Sequence, residues 1–129
     1  MRLTRRGLLG TAPLAALPAQ AQNQTQDFPS RPVTMVVGFP PGGQADLAAR
    51  PVSAAMERYF RQAVVVQNRP GGAGAIGSGF VARAPADGQT LLMALSSLAV
   101  IPEAEKLFGR APPYTVEQFA PIGLVNADP

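Results

Sequence analysis

Three short apolar runs, spaced far enough apart for a helix between each pair, constrain this chain most: Val33-Thr34-Met35-Val36-Val37, Ala63-Val64-Val65-Val66 and Thr90-Leu91-Leu92-Met93-Ala94. Apolar residues fill successive rather than alternate positions in each, so neither side of the run is reserved for water. Valine dominates the first two. Strands buried on both faces read this way, as parallel strands do, whereas half-exposed antiparallel strands alternate. A fourth run of the same kind occupies residues 122–125.

Helix candidates fill the gaps. Residues 45–60 place Leu47, Val52, Ala55, Met56, Tyr59 and Phe60 on one side, with Asp46, Arg50, Ser53, Glu57 and Arg58 largely on the other. Pro51 interrupts them; inside a helix proline lacks a donor N–H and costs about 3 kcal/mol, so a kink or a late start is expected. Residues 74–83 predict a second, shorter helix, in which Gly77 and Gly79 imply close packing against a neighbour. Ala84-Pro85-Ala86-Asp87-Gly88 reads as a turn. A third helix is expected within residues 98–108, starting near Ile101 because of Pro102. Alternating strands and helices of this kind imply an α/β fold, a parallel sheet with right-handed βαβ crossovers covered on both faces. Ligands in such sheets sit beyond the carboxyl ends of the strands, so function belongs to the loops at residues 38–44, 68–74 and 96–98.

The first loop carries Phe39, Pro41, Gly42 and Gly43 just ahead of a helix, so free N–H groups and the positive end of the helix dipole face whatever lies above the strand. It is not a P-loop, because no Lys-Ser/Thr pair follows the glycines. Asp46 falls in the first helical turn, where its charge suits the dipole; a tight turn followed by a helix-end acid accounts for the same residues. The second loop contains Gly72-Ala73-Gly74-Ala75-Ile76-Gly77, which fits the G-x-G-x-x-G spacing of dinucleotide folds. There the first glycine leaves the first strand directly and an acid ends the next strand. Here Asn68-Arg69-Pro70-Gly71 intervenes, and the next strand ends in Ala94-Leu95-Ser96 without a carboxylate. No nucleotide or other cofactor is expected. In the third loop, Ser96 and Ser97 offer two hydroxyls that suit a carboxylate or cap the following helix, and both readings hold together.

Composition narrows the chemistry. Cysteine is absent, which excludes a disulfide scaffold, a thiolate metal site, a cysteine nucleophile and a lipoprotein anchor. Histidine is absent as well, and with it the usual general base and the commonest metal ligand. A chain of this kind is expected to bind rather than to catalyse, without a metal. Its basic balance is local: Arg2, Arg5 and Arg6 stand in the first 21 residues, and beyond them eight basic residues match eight acidic ones. No nucleic-acid footprint follows. Those first 21 residues run from a basic start through an apolar stretch at 7–17 to Ala19-Gln20-Ala21, the three regions of a secretory signal peptide cleaved after Ala21. The apolar stretch is too short for a ~30 Å hydrocarbon core. Arg5-Arg6 admits twin-arginine export beside the general route. Residues 22–32 read as a flexible lead-in.

Taken in order, the loops resemble one family. Phe39-Pro40-Pro41-Gly42-Gly43-Gln44-Ala45-Asp46 with Ala49-Arg50, then Val64-Val65-Val66 with Asn68-Arg69-Pro70-Gly71-Gly72-Ala73-Gly74 and Ile76-Gly77, then Ala82-Arg83-Ala84-Pro85-Ala86-Asp87-Gly88 with Thr90-Leu91-Leu92, and last Phe119-Ala120-Pro121-Ile122 resemble the Bug-type periplasmic receptors of tripartite tricarboxylate transporters. The resemblance implies a two-lobed, monomeric solute-binding protein that closes on a small organic carboxylate and hands it to membrane permease subunits. Residues 33–129 would form part of the first lobe, resembling that of a type II periplasmic binding protein and incomplete, with the second lobe absent. The ligand would meet Phe39, Pro41, Gly42, Gly43 and Asp46, with Gly71, Gly72, Ala73, Gly74, Ser96 and Ser97 adding to the site. One departure is Ile101-Pro102, where the family commonly shows Asn-Pro. Two other expectations compete: a truncated fragment that binds nothing by itself, and a nucleotide-binding enzyme resting on the glycine spacing alone.

Overall fold

The computed structural model describes residues 28–125. The expected signal peptide with its cleavage after Ala21, and residues 22–27 of the lead-in, lie outside the described residues. Strands β1 (Val33–Val37), β2 (Val64–Asn68) and β3 (Thr90–Met93) form one parallel sheet in the order β2-β1-β3. Helices α1 (Gln44–Phe60), α2 (Ala75–Ala82) and α3 (Ser97–Leu107) alternate with them. The α/β fold with βαβ crossovers is therefore the one expected. Among the described residues no helix is long and apolar enough to cross a membrane.

Pairing puts Met35 beside Val66 and Leu91 on one face, and Val36 beside Gln67 and Leu92 on the other. The central strand is buried except at half-buried Thr34, with Val33, Val36 and Val37 fully enclosed. Burial on both faces does not extend to β2, where Val65 is 54 % exposed. The cause is reach: α1 covers β1 and β2 on one side, whereas α2 packs against β1 and β3 and leaves the outer half of that edge strand bare.

The packed face of α1 differs from the expected one. Ala45, Asp46, Ala49 and Ser53 are its buried residues, and Val52, Met56 and Phe60 pack against the core of Val33, Met35, Val37 and Val64. Leu47 and Tyr59 instead face solvent, at 65 % and 84 % exposure. The alanines let the helix backbone come close to the sheet, and that close approach selects the face in place of the largest apolar side chains.

Both prolines sit inside continuous helices, so neither delays a start. Pro51 lies on the exposed side of α1, and the carbonyl it deprives of a donor, four residues earlier at Leu47, is on the side open to water. Pro102 is buried within α3, which begins at Ser97 rather than near Ile101. It deprives the Leu98 carbonyl, and the Tyr114 hydroxyl donates to that oxygen instead at 3.1 Å. Tyr114 is 3 % exposed and meets the Phe119 ring edge-on at 5.5 Å. Tyr114→Phe is accordingly expected to cost about 1–2 kcal/mol in chemical denaturation, because it removes both the donor to the Leu98 carbonyl and the hydroxyl that hydrogen-bonds the Ser78 side chain. A neutral result would mean that the orphaned carbonyl finds another donor.

Two further expectations are corrected. Residues 28–32 are not a free lead-in: Phe28 packs edge-on against Phe60 at 5.8 Å, and Arg31 pairs with Asp87 at 2.8 Å. Nor do residues 122–125 form a strand; Ile122 and Leu124 are 83 % and 81 % exposed. With no strand beside it among the described residues, this run gains neither ladder bonds nor a buried face.

Candidate functional site

The strand order places a topological switch point between β1 and β3, because the chain leaves the central strand towards one edge and returns to fill the other. Crevices form at the carboxyl ends of strands at such points. The loops after β1 and β3 flank it, and the loop after β2 closes on both.

The loop after β2 is built from unusual backbone. Gly71, Gly72, Ala73 and Gly74 all have positive φ, at 133°, 56°, 55° and 102°. Three are glycine, for which the left-handed region carries no side-chain clash; Ala73 adopts it inside a 3-10 turn, Gly72–Gly74, that precedes α2. The second expected helix thus starts one residue later than the sequence pattern indicated. Ser97 holds the unusual residue in place: its hydroxyl donates to the Ala73 carbonyl at 2.9 Å. A Cβ on Gly74 would stand 3.2 Å from the Phe39 ring and 3.7 Å from Ser97 Oγ, so the three loops meet there. The N–H groups of Gly72 and Ala73 have no acceptor among the described residues.

The loop after β1 is organised by Asp46. This residue is 1 % exposed, and its carboxylate accepts from the Gly42 N–H at 2.9 Å, from Arg50 Nε and Nη2 at 2.8 and 3.0 Å, and from Asn68 Nδ2 at 2.9 Å. The hydrogen-bonded Arg50 guanidinium, then the Gly42 amide and the Asn68 amide, hold the carboxyl well below the usual carboxylate range, against the effect of burial. Arg50 is raised in turn by the same pairing. The carboxylate is therefore ionised, neutralised by its neighbour and already saturated with donors. Asn68 also donates to the Phe39 carbonyl at 3.0 Å, and the Gly43 N–H turns back to Pro40 O at 3.3 Å.

The residues singled out from the sequence thus separate into two sets. Phe39, Ala73, Gly74 and Ser97 are brought into contact, and Gly42, Gly43 and Asp46 are joined in the first loop. Pro41 is exposed beside them. Ser96 precedes α3, is exposed and makes no capping bond with its side chain. Arg69, in the loop after β2, is engaged within the protein: its guanidinium lies 3.7 Å from the Phe80 ring centroid and Nε reaches Gln67 at 3.2 Å. Sequence reasoning missed Arg50 and Asn68. An acid and an arginine four apart on a helix were a legible signal for the first; nothing local announces the second, which acts across 22 residues. Among the described residues no cluster of acidic side chains could hold a metal ion.

Comparison with known proteins agrees with this architecture. A sequence model described as the tripartite tricarboxylate transporter family receptor, TctC, matches residues 48–128, more than half of the chain. A protein encoded in the tcbD-tcbE intergenic region of Pseudomonas sp. is 42% identical over 97% of this chain and 37% of its own length. Protein BugT of Bordetella pertussis is 38% identical over 94% of this chain and 35% of its own. The chain thus spans about a third of the length of these curated relatives. Among solved structures, one described as a periplasmic transporter superposes with a TM-score of 0.62 at 38% identity, over 68% of this chain and 29% of that one. A TctC solute binding protein from Polaromonas gives 0.53 at 32% identity, over 56% and 25%. An R. palustris protein solved with adipate gives 0.50 at 42% identity, over 51% and 22%. The parallel sheet, the order of its loops and these matches agree: the chain belongs to the tripartite tricarboxylate transporter receptor family.

Proposed function

We propose that this chain carries part of the ligand-binding cleft of an exported receptor that captures a small organic carboxylate and delivers it to membrane permease subunits. The observation that carries the reading is the meeting of three loops at the switch point, through the Ser97–Ala73 bond and the Phe39–Gly74 contact. Adipate in the R. palustris relative supports the ligand class. The loops supply donors without a bare counter-charge, which suits a carboxylate, and the one acid among them is neutralised by Arg50.

The candidate residues divide their work in this reading. The Gly72 and Ala73 N–H groups and the Ser96 hydroxyl face the ligand, with Phe39, Pro41, Gly71 and Gly74 shaping the cleft. The Gly42 and Gly43 N–H groups, the Asp46 carboxylate and the Ser97 hydrogen are engaged within the protein and hold the loops. Ser97 has one hydrogen and donates it to Ala73, so it cannot also donate to an anion. Export would follow cleavage after Ala21, by the general or the twin-arginine route, to the periplasm.

Thermal unfolding of the complete chain against a panel of di- and tricarboxylates, adipate among them, tests the reading. At 100 times its dissociation constant a true ligand stabilises by about 2.7 kcal/mol. No shift with any member would refute carboxylate capture. The same protein, recovered from the periplasmic fraction, should begin at Gln22; recovery of only uncleaved chain inside the cell would refute export.

A further inference from the structure

Asn68 is the last residue of β2 and pairs in register with Val37, the last residue of β1. Its side-chain amide has two hydrogens, and both are committed across the gap to the first loop: one to the Phe39 carbonyl at 3.0 Å, the other to Asp46 Oδ1 at 2.9 Å. Asp46 Oδ2 takes the Gly42 N–H at 2.9 Å. Phe39 and Gly42, at the two ends of the turn, are thus tied to one carboxylate–amide pair whose members come from α1 and β2. Arg50 completes the carboxylate and cancels its charge, so the knot presents no repulsion to an anion beside it.

We propose that Asn68 is a positioning residue for the binding cleft, its amide tying the Phe39 carbonyl to the Asp46 carboxylate so that the first loop is held in its binding shape before ligand arrives. The proposal rests on the receptor reading above. It requires donation by Asn68 and not merely its volume. Asn68→Asp has nearly the same shape but offers only acceptors to a carbonyl and a carboxylate, so it should be no better than Asn68→Ala. A packing role predicts the reverse order.

The experiment is amide hydrogen exchange on the complete chain without ligand, followed by titration with adipate. In the wild type the Gly42 amide should exchange at least about tenfold more slowly than that of Ala73, which has no acceptor. Asn68→Ala and Asn68→Asp should each remove about tenfold of that protection and weaken adipate about tenfold, while the Val36 amide in the central strand keeps its rate. Retained Gly42 protection and adipate affinity in both variants would overturn the proposal, as would an Asp variant that behaves as the wild type. Should Asn68→Asp fail to fold, Asn68→Ser keeps one donor and carries the test: intermediate protection supports donation, and full protection refutes it. Asn68-dependent protection of Gly42, with no binding of adipate or any other panel member, would refute the receptor reading alone.

Discussion

Gly77→Ala is expected to lower the unfolding temperature by about 10 °C, although alanine is the better helix former. A Cβ at this position would stand 2.7 Å from Gly38 Cα, 3.3 Å from Gly38 N and 3.2 Å from the Arg69 carbonyl. All three are backbone atoms, at the carboxyl ends of β1 and β2, and none can swing aside as a side chain can. Relief requires α2 to move off the sheet, and overpacking of this kind costs about 1–3 kcal/mol. The helical gain on replacing glycine is about 0.5–1 kcal/mol, so the clash wins. Gly123→Ala is the control: a Cβ there meets nothing within 4 Å, and its effect should stay within about 0.5 kcal/mol. Differential scanning calorimetry of both variants decides the matter. An unchanged midpoint for Gly77→Ala would mean that α2 does not approach the strand ends as closely as the structure shows. The glycine spacing that resembles a dinucleotide fingerprint therefore has a packing use here, bringing the start of α2 against the end of the central strand.

That double meaning marks the boundary of what the sequence makes legible. The parallel sheet follows from residues whose signal is local: a valine-rich run such as Val33–Val37 has few other ways to bury itself. The face of α1 did not follow, because large side chains such as Leu47 and Tyr59 outweigh Ala45 and Ala49 in any periodicity argument, while packing distance favours the small ones. Pro102 misled for a related reason. Its local cost is real, but Tyr114, twelve residues on, supplies the donor that makes the helix tolerable. The exposed run at 122–125 is a third case, since a strand needs a neighbour that no local pattern can promise. At the site, the loops were legible from their glycines and their place after strands. The division of labour within them was not, because it depends on which donors are consumed internally. The Ser97 hydroxyl and the Gly42 N–H look available in sequence, and both are engaged in the folded chain.

Asp46 should make stability fall with acid in a way that Asp46→Asn abolishes. Its ordinary value is 3.8, and the bonds from Arg50, Gly42 and Asn68 hold the folded carboxyl far below it. Protons therefore bind the unfolded state more readily than the folded one, and stability rises with pH through the interval between the two values. The contribution is complete above the unfolded value and is lost progressively as pH falls from about 4 towards the depressed folded value. Asp87, Glu105 and Glu117 are lowered as well and share this sign, but they lie nearer to solvent, where salt screens them. Unfolding midpoints collected from about pH 7 to about pH 2.5, at low and high salt, separate the contributions. At neutral pH Asp46→Asn is expected to lower the midpoint by on the order of 10 °C, since it leaves Arg50 unpaired and turns amide hydrogens towards other donors. The gap to the wild type should narrow steadily below about pH 4, as Asp46 takes up its proton in the unfolded wild-type chain while the folded carboxylate stays ionised, and high salt should reduce it only modestly. A gap that stays constant across the whole range would show that the neutral asparagine fails by shape alone. In that case the ionised carboxylate would not be what fastens Gly42 and Asn68 around the first loop, and the charge cancelled by Arg50 would have no part in keeping the cleft open to an anion.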